Sequence, residues 1–218
     1  MSTDEIERAL SRAKQVLETA YFGLRVLRSS NMSERSAGLR NVLVFGRSVT
    51  FVIQNLSSIV GSEIFAQWYS PHQETMKRDP LMKYFVEARN NLEKQGRLDV
   101  GIAAEFNCSS EDIRKGLGPP PPGAVSAFIG DSTGGSGWEI DVGNGETIKY
   151  YVNFPQSFAN VKQVFHSMPD TIPDHLQEMA VDELCEMVLG KLTAVLDDAY
   201  KVFLSKPKTK VPYLRLVK

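Results

Sequence analysis

A mainly helical antiparallel bundle with a small antiparallel sheet inserted into it, α+β overall, is the fold class this sequence predicts, and three observations predict it. Long segments toward both ends of the chain carry apolar residues at helical spacing. Between them, Asp79 to Gly96 is punctuated as a helix at both ends. A proline run, Pro119 to Pro122, then gives way to three short segments whose apolar residues alternate with the period of strands.

Taken in order, Ser2 or Thr3 can cap a first helix in which Ile6, Leu10, Ala13, Leu17, Ala20, Tyr21, Leu24 and Leu27 form one apolar stripe ending near Ser29. Asn31 and Ser33 restart the chain. A second long helix is expected from Glu34 to Val60, stopped by Gly61, and its apolar circumference (Leu39, Val42, Leu43, Val49, Val52, Ile53, Leu56, Val60) predicts a central position. The β-branched run at 49–53 is its weak point. Ser62 is expected to cap a shorter segment carrying Ile64, Phe65, Trp68 and Tyr69, broken at Pro71. In the next helix Asp79 can accept from free N–H groups, Pro80 is preset for the first turn, and Gly96 can adopt the left-handed terminal conformation. Leu81, Phe85, Ala88 and Leu92, with Tyr84 beside them, supply its core face. Short connections favour antiparallel neighbours, hence a bundle of about four helices.

Residues 97–118 are mixed, with a short helix starting in SerSerGluAspIle at 109–113 and ending in GlyLeuGly. The prolines read as a stiff spacer. Strands are expected at 124–129, 138–142 and 147–154, the last two joined by a hairpin at Gly143-Asn144-Gly145. A short helix is expected over Ser157 to His166, and Asp174 is expected to cap the last long helix. The domain organisation is thus 1–118 helical, 119–156 inserted sheet, and 157–218 C-terminal helices with a basic tail from Lys206.

A formal net charge of −1 over 218 residues excludes a globally basic nucleic-acid binder but not local patches. Arg8 to Arg47 carries eight basic residues against Glu18 and Glu34, and Asp170 to Asp198 carries eight acids against Lys191. These regions are either solvated faces or contact one another. Isolated Cys108 and Cys185, with no apolar signal segment, predict a soluble protein of the reducing cytoplasm. No uncharged run approaches the roughly 18 apolar residues of a membrane helix, and no membrane association is expected. His72, His166 and His175 are scattered without ligand spacing, so neither metal nor cofactor is expected. The glycine-rich stretch 130–137 lacks the GlyLys pair of a phosphate loop and reads as a strand connection.

The polar face of the Asp79–Gly96 helix concentrates Arg89, Asn90, Asn91, Glu93 and Lys94. Arg89-Asn90, three residues and then a basic position resembles the Arg-Asn-x-x-x-His signature of the HEPN superfamily, and the resemblance extends to the helical setting of residues 1–96. It implies an all-α fold, dimerisation through the motif face, and kinship with metal-independent endoribonucleases of bacterial toxin–antitoxin and antiphage systems. Lys94 stands where the family has its catalytic histidine. Histidine moves a proton near neutral pH, whereas a lysine with reference pKa of about 10.4 stays charged unless strongly desolvated. Arg89 is left as a phosphate binder, Asn90 as a hydrogen-bonding group and Lys94 as a point charge.

The resulting expectation is a non-catalytic, homodimeric binding or regulatory protein of a bacterial defence, toxin–antitoxin or stress system. Arg89, Asn90, Lys94, Arg40 and Arg47 would contact RNA or a protein partner. The alternatives are an active ribonuclease using Arg89, Asn90 and Lys94 with His72, a non-catalytic RNA binder using the Arg-rich helices and basic tail, or a plain assembly protein. A purely structural face is the competing explanation, because Arg89 and Glu93 at i, i+4 form an ordinary helix-surface ion pair.

Overall fold

The stripe on α1 (Thr3–Leu27) is buried along its length, from Ile6 to Leu27, against α2 (Met32–Val52). The structure is a computed structural model describing residues 3–29, 32–106, 108–131, 135–155 and 158–204. The two helices cross backbone to backbone. A Cβ on Gly23 would sit 2.8 Å from the Gly38 carbonyl oxygen, and one on Gly38 would overlap the Leu27 backbone nitrogen. Such separations admit only glycine, so this pair sets how closely the helices pack. Arg35 Nε donates to the Leu27 carbonyl at 3.0 Å, satisfying an orphan acceptor where α1 ends.

The expected second helix is helical throughout but not uniformly. Where the β-branched run ends, the chain tightens into a 3-10 turn at Ile53–Asn55 and resumes as α3 (Leu56–Val60), closed by Gly61 at φ 94°. Two expectations about the next segment fail. Ser62 is not the cap; it is the first residue of α4 (Ser62–Arg78), whose N-cap is Gly61 without a side-chain bond. Pro71 does not break the helix, which runs through it. Tethers on both sides offset the lost backbone bond: Trp68 Nε1 donates to Asp198 Oδ2 at 2.8 Å, and His72 Nε2 meets the same oxygen at 3.0 Å.

α5 (Pro80–Gln95) has the predicted ends. Asp79 accepts from the Leu81 and Met82 backbone nitrogens at 2.9 and 3.2 Å, and Gly96 closes the helix at φ 67°. Leu81, Tyr84, Phe85 and Leu92 are buried, joined by Met82, while Ala88 is half-buried.

Beyond α5 the chain departs from expectation. Residues 97–106 contain β1 (Val100–Phe106), and the segment expected as a helix at 157–166 contains β5 (Ala159–Phe165). The two form an antiparallel ribbon from Val100↔Phe165 to Phe106↔Ala159. Residues far apart in sequence satisfy each other's backbone, which local periodicity at 157–166 does not reveal. Phe165 is buried against Tyr84 and Phe85, with ring centroids 5.1 and 5.8 Å away, and docks the ribbon on α5. Between the two strands, α6 (Ser110–Leu117) opens with a capping box of Ser109 and Asp112.

β2 (Ala124–Phe128), β3 (Ser136–Gly143) and β4 (Glu146–Val152) form a separate antiparallel sheet in the order β2-β3-β4. Its hairpin turn has positive φ at Gly143, Asn144 and Gly145. Asp174 does not cap the last long helix; it begins the short α7 (Asp174–Gln177). The long helix is α8 (Val181–Leu204), opened by Glu183, whose carboxylate accepts from the Ala180 backbone nitrogen at 3.2 Å. α8 packs on α1 and α2 and completes the core. The Ser2 cap and the basic tail from Lys206 lie outside the described residues. The fold is mainly helical with an inserted β region.

The basic and acidic regions meet within one chain, through Arg28 with Asp182 at 2.9 Å and Glu186 at 2.6 Å. Despite the absence of a long uncharged run, one helical stretch, Glu34–Val60, has the length and composition to cross a membrane, with a mean hydropathy of 1.3 over its most apolar window. It occupies the centre of the bundle, between α1, α5 and α8, and 39% of that window is buried.

Candidate binding cleft

α2 is apolar around most of its circumference, but Arg47, Thr50 and Gln54 recur along one side of it and of the following 3-10 turn. That interruption faces a cavity of about 550 Å³ between α2, α4, α5 and α8. Leu43, Met76, Met82, Phe85, Val188 and Leu192 supply apolar walls, and Gly46 leaves the α2 wall without a side chain. The polar positions are Arg47, Thr50 and Gln54 on the α2 side, Tyr69, Gln73 and Lys77 on α4, and Lys83 and Glu87 on α5. Three cations and one acid line the cavity, and one of the cations, Lys77, is paired with Glu74 at 3.1 Å.

Arg47 is held in place from two sides. Its Nη1 donates to Thr50 Oγ1 at 2.7 Å, and its guanidinium lies 4.4 Å from the centroid of the Phe51 ring. Thr50 is buried and donates in turn to the Arg47 carbonyl at 2.8 Å. Tyr69 is only 6% exposed and stacks on Phe65 with centroids 5.1 Å apart. Burial pushes its phenol above the ordinary value, while the positive charge of Arg47 opposes that rise.

The sequence-predicted residues are dispersed. Arg89 Nη1 pairs with Glu93 Oε2 at 2.6 Å and donates to Asn90 Oδ1 at 3.2 Å, so both partners lie within one helical turn. Its Nε is buried without a hydrogen-bond partner. Lys94 is exposed, one turn beyond Asn90. Arg40 donates from Nη2 to the Gly96 carbonyl at 3.0 Å, placing a cation at the C-terminus of α5. Of this set only Arg47 lines the cleft. His72 is engaged with Asp198, and Cys185 is fully buried, its thiol raised by desolvation. Cys108 donates from Sγ to the Phe158 carbonyl. Among the described residues no group of three or more His, Cys, Asp or Glu could hold a metal ion.

Sequence reasoning missed the cleft and Tyr69, which it read only as an apolar helix residue. The signal was the spacing of Arg47, Thr50 and Gln54, a polar line on an otherwise apolar helix.

Known proteins bear on the helices that build this cleft. Residues 31–114 match the family described as bacteriophage lambda protein ea47. The chain is also 42% identical over 79 residues to Protein ea47 of Escherichia phage lambda, a stretch covering 35% of this chain and 18% of the relative. This chain therefore spans less than a fifth of that relative's length. No solved structure matches. The HEPN resemblance is corrected by these findings: the family that matches is ea47, and no HEPN family does. The geometry gives a physical reason, since Arg89 is paired within its own helix rather than converging with Lys94 on a shared point.

Proposed function

We propose that this protein is a non-catalytic binding or regulatory domain whose working surface is the cleft between α2, α4 and α5. The carrying observation is an apolar cavity of about 550 Å³, within the roughly 300–1,000 Å³ typical of small-molecule sites, with a cation-rich polar lining. The span matching ea47 supports this reading: it supplies every lining residue except Val188 and Leu192. Local pairing of Arg89 supports a non-catalytic role. The similarity to a phage protein supports a place among phage–host or bacterial defence functions, and the free thiols Cys108 and Cys185 support a reducing cytoplasm. Phe22 and Phe51, each about half exposed, support self-association through α1 and α2.

Binding of the apolar anion 8-anilinonaphthalene-1-sulfonate under native conditions tests the cleft. Saturable fluorescence enhancement that Val86→Trp abolishes, with unchanged circular dichroism, is expected; enhancement insensitive to Val86→Trp argues against the cleft. For the non-catalytic half of the reading, single-stranded RNA should stay intact in the presence of a chelator. Cleavage that disappears in Arg89→Ala overturns it.

A second reading, a non-catalytic RNA binder, draws on a groove lined by Arg8 and Arg12 together with Glu5, Asn55 and Ser58. Neither arginine has an ion-pair partner among the described residues. Affinity for RNA that falls steeply between low and moderate salt, and is weakened by Arg12→Ala, supports it; salt-independent binding does not.

A further inference from the structure

Resting on the cleft reading above, we propose that the cavity takes a small carboxylate carried on an apolar tail, with the Arg47 guanidinium and the Tyr69 hydroxyl receiving the carboxylate. Three observations point to this class of ligand. First, the lining is amphipathic: Leu43, Met82, Phe85 and Leu192 form apolar wall, and Arg47 and Tyr69 are among the polar residues that share it. A tail then removes apolar surface from water while a head group meets charge.

Second, Arg47 is preorganised. Thr50 and Phe51 fix its guanidinium, and the bond to Thr50 uses only part of a five-donor fork that matches the two oxygens of a carboxylate. A cation already held by its own helix loses little side-chain freedom when a ligand arrives. Third, the Tyr69 ring is almost wholly buried while its hydroxyl, which makes no hydrogen bond to another described residue, stays accessible at the lining of the cavity, where the Arg47 charge reaches it. A tyrosine placed so offers an apolar body to the wall and a free polar tip to a ligand. A ligand oxygen placed between Arg47 and Tyr69 satisfies both. Lys83 adds positive charge to the same lining against the carboxylate of Glu87, while Lys77 is paired with Glu74 at 3.1 Å. A volume of about 550 Å³ is that of a small-molecule site rather than of a groove for a helix of another protein.

The test is isothermal titration of the full chain with dodecanoate, dodecanol and dodecylamine, each below its micellar concentration. Dodecanoate is expected to bind at one site at least tenfold more tightly than dodecanol, and dodecylamine more weakly still. Arg47→Gln should reduce dodecanoate affinity about tenfold and leave dodecanol unchanged, and Tyr69→Phe should lower it several-fold, both with native circular dichroism. Equal affinity for dodecanoate and dodecanol, or indifference of dodecanoate to Arg47→Gln, overturns the head-group assignment while the cleft reading stands. No saturable binding of any of the three overturns the cleft reading with it. A rise in oligomeric state that excludes the amphiphiles assigns the cavity to a second copy of the chain and also overturns the inference.

Discussion

The helical part and the three-stranded sheet bury their residues very differently. α1, α2, α5 and α8 each place a continuous apolar stripe in one shared core, with Leu10, Leu39, Leu81 and Leu189 fully enclosed. In the strands of the sheet only Ser136 and Gly137 are buried, while Val125, Ile148, Tyr150 and Tyr151 are half or more exposed. Backbone pairing alone makes a small sheet marginal, whereas shared burial makes the bundle cooperative. Stability should therefore reside in the helices. The sheet is secured at a few points, including Trp138 Nε1 donating to the Leu117 carbonyl at 3.2 Å and Lys149 pairing with Asp131 at 2.8 Å.

The largest effect should come from breaking the closest approach in the bundle. Gly38→Ala forces a methyl into the Leu27 backbone, and an overpacking cost of about 3 kcal/mol is expected as a lowered urea midpoint. An unchanged midpoint would show that the α1–α2 crossing yields easily.

Next in size is the α4–α8 tether. Trp68→Phe removes the indole donor to Asp198 and should cost about 1 kcal/mol near neutral pH, a modest figure for a bond to a partly exposed carboxylate. Hydrogen bonds from Trp68, then His72, hold the Asp198 carboxyl below its usual range. A carboxyl lowered in the folded state contributes its full stability above the unfolded pKa of about 3.9, and loses it as pH falls through the folded value. The difference between Trp68→Phe and the parent should thus shrink as pH drops below about 4. A gap that stays constant across that window would remove Asp198 from the explanation.

Smaller, and of opposite sign, is Gly190→Ala on α8. A Cβ there meets nothing within 4 Å, so the gain in helix propensity should raise stability by about 0.5–1 kcal/mol in the same urea titration. The smallest expected effect sharpens the comparison directly. Residues 119–155 leave and rejoin the fold close together, since Gly116 lies beside Phe154, Pro155 and Phe158. Replacing them with a short glycine–serine linker should leave the helical circular dichroism and its unfolding midpoint nearly unchanged. A collapse of the helical signal would mean that the sheet braces the bundle.

What was legible in the sequence is what local chemistry decides. The ends of α5 follow from Asp79, Pro80 and Gly96, the turn of the β3–β4 hairpin from Gly143-Asn144-Gly145, and the short helix α6 from its start in SerSerGluAspIle at 109–113. Features requiring a distant partner were not. Pro71 stays helical where α4 is tied to Asp198 on α8, and β5 is a strand because β1 pairs with it. The candidate site divided the same way. The Arg89–Glu93 pair was readable at i, i+4, but that Arg47 and Tyr69 line one cavity depends on where the bundle places α2 and α4.

The chain contains two tryptophans, and the fold assigns one to each region. Trp68 sits among Tyr69, His72 and Phe203 where α4 meets α8, and Trp138 lies on β3 with its indole bonded to the end of α6. With Trp138→Phe, emission reports only on the docking of the helices; with Trp68→Phe, only on the sheet. The molecule thus carries a separate optical probe for each half, and the order in which the two signals change during denaturation can be followed without any added label.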